Sequence, residues 1–115
     1  MATGIIPRFL VRNDIVHHQI TIPASGSISI NTGGQYFVAL LATGQNNNSM
    51  PQLFGLVGQS TVAARHKAVT LIAPVDNTKI TVTPTDDGFT VSSSYTLATR
   101  CDIFVLCANA EWTFT

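Results

Sequence analysis

No stretch of this chain keeps a helical repeat of apolar residues; what recurs along it is alternation with a period of two. Apolar side chains at every second position turn one face of an extended strand to a core and the other to water. His18-Gln19-Ile20-Thr21-Ile22 alternates and stops at Pro23. Ser27-Ile28-Ser29-Ile30 follows the turn Ala24-Ser25-Gly26 and ends at Asn31-Thr32-Gly33-Gly34. Lys79 to Thr83 alternates, Pro84 to Gly88 turns, and Phe89-Thr90-Val91 alternates again. Tyr36 to Leu41 is apolar on both parities, which predicts a strand covered on both faces. Leu53 to Gly58, Ala68 to Ala73 and Arg100 to Ala108 complete the apolar runs. Glycines inside Leu53 to Gly58 mark a bulge or a close backbone approach. The turn signals fall every 8–12 residues or so, the spacing of about eight strands in an all-β, antiparallel β-sandwich of jelly-roll type.

A chain of 115 residues is one domain. Residues 17–115 read as the sandwich. Residues 1–16 differ: Ile5-Ile6-Pro7-Arg8-Phe9-Leu10-Val11-Arg12 is apolar with two arginines, and reads either as an edge strand or as an arm laid on a partner. The start at Met1, without a signal peptide, reads as a short independent product. No apolar window is long enough for a membrane-spanning helix.

Charge is scarce. Six Lys and Arg balance six Asp and Glu, 10% of the chain, against about 25% in ordinary soluble domains. There is no basic stripe to neutralise phosphates, so nucleic acid is not expected as a partner. There are also few like charges to keep copies apart, which points to self-association. Cys101 and Cys107 share a parity with Ile103 and Val105, about 20 Å apart in one strand. That is beyond disulfide reach, so both read as buried free thiols of a protein made in a reducing compartment.

Catalytic constellations are absent. His17 and His18 are adjacent and face opposite ways on a strand, and no zinc spacing joins them to His66. Asp76, Asp86 and Asp87 sit in turn sequences, where aspartate bonds its own backbone. No nucleophile elbow, phosphate loop or dinucleotide fingerprint occurs. The expectation is a protein that is not an enzyme and carries no cofactor or metal.

Binding residues are the better candidates. Arg100 and Asp102 interrupt a long strand on one parity and suggest a cross-strand or intersubunit pair. Trp112 and Phe114 share a parity in the last segment and either close the core or contact a neighbour. With Ile5, Ile6, Arg8, Phe9 and Arg12 they form the expected partner-binding set. The basic cluster Arg65-His66-Lys67 is a further place for subunit contacts. The uncharged loop Gly44 to Pro51 carries Gln45, Asn46, Asn47 and Asn48, amides able to pair with sugar hydroxyls.

The order of these segments is similar to the small β-sandwich domains on tailed-phage fibres and other virion appendages. The likeness runs from Ser27-Ile28-Ser29-Ile30 through Tyr36 to Leu41 and Leu53-Phe54-Gly55-Leu56-Val57. It continues through Val69-Thr70-Leu71-Ile72, Ile80 to Thr83 and Phe89-Thr90-Val91 to Ile103-Phe104-Val105-Leu106. It rests on segment order and composition rather than on a motif. It implies a homotrimeric virion protein without catalytic residues. The short N-terminal stretch favours a capsid-decoration, head-fibre or tail-hub component that attaches to another virion protein. The alternative is a lectin-like module that contacts host-surface glycans through residues 44–51.

Overall fold

The computed structural model describes residues 15–33, 36–44, 51–73 and 79–115. Among the described residues nine strands carry the fold: β1 (Val16–Ile22), β2 (Ser27–Asn31), β3 (Phe37–Thr43), β4 (Leu53–Gly58), β5 (His66–Ile72), β6 (Ile80–Pro84), β7 (Gly88–Ser93), β8 (Thr99–Ala108) and β9 (Thr113–Phe114). They form two sheets, in the orders β1-β8-β3-β4-β5 and β6-β7-β2-β9. Every pairing is antiparallel. The expected all-β antiparallel sandwich is the architecture found. Among the described residues the only helical element is the 3-10 turn Ala63–Arg65.

One core lies between the sheets. Phe37, Ala39 and Leu41 of β3, Phe54 and Leu56 of β4, and Cys101, Ile103 and Val105 of β8 point inward from the larger sheet. Ile30, Ile80, Phe89 and Val91 meet them from the smaller one. Phe37 is the centre, packed edge-on against Phe89 at 5.6 Å and Trp112 at 5.4 Å. Trp112 therefore closes the core, and Phe114 packs half-buried against it. The sheets are also tied by a polar clasp. Gln52, buried before β4, accepts from the Ile80 backbone N–H at 3.1 Å and donates to the Ile80 carbonyl at 3.3 Å. Its amide substitutes for a strand partner at the start of β6.

Three readings from the sequence are corrected. β3 is covered on one face only, and Val38 is 40% exposed on the other. Cys107 is exposed while Cys101 is buried. The reason is a bulge: Val38 pairs with Cys107 but Ala39 pairs with Val105, so Leu106 is an extra residue and parity inverts beyond it. Asp86 does not serve its own turn. It accepts from the Ala63 backbone N–H at 2.8 Å, fastening the β4–β5 connection to the β6–β7 turn.

Candidate functional site

Alternation leaves the outward residues of the five-stranded sheet as one surface. Val38 and Leu40 of β3 stand beside Val57 and Gly55 of β4, and Gly55 is paired with Val69 of β5. Leu40 is flanked on its other side by Phe104 of β8. Leu71 extends the row and reaches toward Gly55, where a Cβ would meet its Cδ1 at 3.4 Å. Val38, Val57, Val69 and Leu71 are all exposed. The smaller sheet, by contrast, turns serines and threonines outward along β2 and β6. A contiguous apolar face of this kind is a mark of association.

The same face holds an ionic cluster at its β1–β8 end. His17 lies opposite Phe104 in the register and stacks on it at 4.8 Å with the rings nearly parallel. Its Nε2–H donates to Oδ1 of Asp102 at 2.7 Å. Arg100, two residues along the same strand, donates from Nε to Oδ2 at 3.2 Å and from Nη2 to Oδ1 at 3.3 Å. Asp102 is only 6% exposed although it points outward, because these two side chains cover it. Burial favours its neutral form. Hydrogen bonds and charge from His17 and Arg100 together outweigh that and hold the carboxyl below its usual value. The cluster resembles half of a hydrolytic triad. Among the described residues, however, no hydroxyl or thiol is hydrogen-bonded to His17. The arrangement secures a charge in an apolar surface.

The basic cluster Arg65-His66-Lys67 divides in the fold. Arg65 and Lys67 are exposed, but His66 is buried against Phe37 and Phe89. Its Nδ1 lies 2.6 Å from the Thr85 carbonyl and its Nε2 2.7 Å from the Ser60 carbonyl. It is a structural tie between the β4–β5 connection and the β6–β7 turn.

A groove of about 580 Å³ opens where β8 runs past the start of β1, between Val16, His18, Leu106, Asn109, Glu111 and Trp112. Trp112 Nε1 is buried there without a hydrogen-bond partner among the described residues. His18 points to the inner side of β1 and packs edge-on to Phe114 at 4.9 Å. His17 and His18 thus take opposite faces, as adjacency on a strand demands. No group of three metal-ligating side chains comes together among the described residues.

Of the partner-binding set, the structure joins Arg100 to Asp102 and buries Trp112 and Phe114 wholly or partly inside. Ile5, Ile6, Arg8, Phe9 and Arg12 lie outside the described residues, as do the loop amides Gln45, Asn46, Asn47 and Asn48. The sequence did not reveal that His17 belongs to the Asp102 cluster. The two are 85 residues apart, and only the β1–β8 pairing brings them together.

No protein-family profile matches the chain, and no curated protein matches it. Among solved structures it is similar to the tailspike protein of Acinetobacter phage vB_ApiP_P1. The TM-score is 0.45 at 13% sequence identity, over 89% of this chain and 21% of the tailspike. The chain spans about a fifth of that protein's length. A likeness of this size says nothing of what the chain does.

Proposed function

We propose that this chain is a non-catalytic structural component of a phage virion, in the capsid-decoration, head-fibre or tail-hub class. It assembles with copies of itself and attaches to another virion protein. The observation that carries this reading is the outer face of the five-stranded sheet. Val38, Leu40, Val57, Val69, Leu71 and Phe104 form an apolar surface on a chain of zero net charge. Its one buried carboxylate is neutralised within the face by Arg100. Such a surface loses apolar area to a partner, at about 25 cal/mol per Å², while Lys67, beside Val57 on the edge strand β5, keeps its charge at the margin. The segment order that resembles virion-appendage sandwiches supplies the setting.

The test is light scattering of the wild-type chain beside a Val57→Lys, Val69→Lys double variant. Both side chains are exposed, so the variant keeps its core. The wild type is expected to give a multiple of 12.3 kDa and the variant a smaller mass at the same concentration. A wild-type chain that stays monomeric up to concentrations of about 1 mM, where an association worth only about 4 kcal/mol would still show, overturns the reading.

A further inference from the structure

Among the described residues the two sheets have four edge strands, and three of them carry devices that discourage pairing. β5 is bulged at Leu71, since Leu53 pairs with Ile72 but Phe54 with Thr70, and it carries Lys67. β6 follows Lys79 and ends in Pro84, which has no N–H to offer. β9 is two residues long. Bulges, lysines, prolines and shortness are the usual means of keeping an exposed edge from finding another strand.

β1 has none of them. It is seven residues long, Val16–Ile22, in unbroken register with β8, and contains no Lys, Arg, Asp, Glu, Pro or Gly. Along its outer edge the alternate N–H and C=O groups have no strand partner among the described residues. Ile15 and Val16, at its start, are 53% and 50% exposed, and Val16 and His18 form one wall of the groove beside Trp112.

We infer that β1 is a pairing edge and that its partner is β1 of a second copy, joined antiparallel about a two-fold axis. This rests on the self-association reading and adds to the outer face a second contact, at the edge of the same sheet. The sequence of the strand suits its own reverse. With Gln19 on the axis, Gln19 meets Gln19, His18 meets Ile20, His17 meets Thr21 and Val16 meets Ile22. No carboxylate, lysine or arginine of one copy's β1 is set opposite another. The side-chain amide of Gln19, exposed on the outer face, has both a donor and an acceptor, so two copies of it bond reciprocally. The same pairing brings Ile22 of one copy beside the exposed Val16 of the other, and joins two five-stranded sheets into one.

A two-fold contact requires assemblies with an even number of chains, whereas the resemblance to appendage sandwiches implies three. Light scattering is therefore combined with cross-linking. The Cα atoms of paired residues across an antiparallel pair are about 4.5 or 5.5 Å apart, within disulfide reach. In a Cys107→Ser background, Gln19→Cys is compared with Thr81→Cys, which sits on the blocked β6 edge. Both positions are exposed, so the fold is retained, and an unchanged Trp112 emission spectrum checks this. The expected result is an even assembly whose Gln19→Cys variant converts to covalent dimer under mild oxidation while the Thr81→Cys variant does not. A trimer overturns the edge contact and leaves self-association standing. So does an even assembly in which Gln19→Cys cross-links no faster than Thr81→Cys. A chain that is monomeric throughout overturns both.

Discussion

Gly58, the last residue of β4, is set directly against the ring at the centre of the core. A Cβ built there would lie 2.2 Å from Cε2 and 2.3 Å from Cζ of Phe37. Carbon atoms pack at about 3.5–4.0 Å, so Gly58→Ala forces the ring back by more than ~1 Å. The ring has no room to retreat, because Phe89, Trp112 and His66 close in on it at 5.6, 5.4 and 5.4 Å between centroids. Overpacking costs about 1–3 kcal/mol, and each disturbed aromatic pair adds about 0.5–1.5 kcal/mol. Gly58→Ala is expected to cost about 3 kcal/mol, a fall in Tm on the order of 10–15 °C for a domain of this size. Gly55→Ala is the internal comparison. It lies in the same strand, but its Cβ would touch only the flexible end of Leu71 at 3.4 Å. It is expected to be neutral or to stabilise by a few tenths of a kcal/mol, since alanine has less chain entropy to lose. Urea unfolding followed by the single tryptophan, Trp112, measures both. Equal effects from the two substitutions, or a Gly58→Ala cost under ~0.5 kcal/mol, would refute the packing argument around Phe37.

Two more outcomes follow from the charge and thiol environments. The Asp102 carboxyl is held below its usual value in the fold, so it contributes stability that is present above the unfolded value, near pH 4. That stability is lost as pH falls through the lower folded value. Urea midpoints measured from pH 7 down to pH 2 should therefore decline in the wild type through this acid range, and Asp102→Asn should flatten the decline. A variant curve parallel to the wild type would count against the His17–Asp102–Arg100 cluster. Cys107 is exposed and Cys101 is buried with its thiol pushed up to about 12 by burial and, secondarily, by the Asp102 charge. A thiol reagent at pH 8 should label one cysteine per folded chain and two after unfolding, with mass spectrometry placing the first label at Cys107. No label on the folded chain would contradict the bulge at Leu106, and two fast labels would contradict the burial of Cys101.

The sequence by itself determined the strands. Alternation and turn residues act over two to six residues, so Ser27 to Ile30, Lys79 to Thr83 and Phe89 to Val91 were legible as strands wherever the chain went next. The opposite facing of His17 and His18, the turn at Pro23 and the close approach in the Leu53 to Gly58 strand were legible for the same local reason. Tertiary structure decided everything that depends on which strand lies beside which. Pairing of β1 with β8 gives Asp102 its partner 85 residues away, and neither residue carries a local sign of the other. One extra residue at Leu106 turns Cys107 outward, because a period of two inverts wholly when the register slips by one. The apolar outer face arises in the same way. β3 looked covered on both sides because apolarity alone cannot distinguish a face buried in the fold from one left exposed.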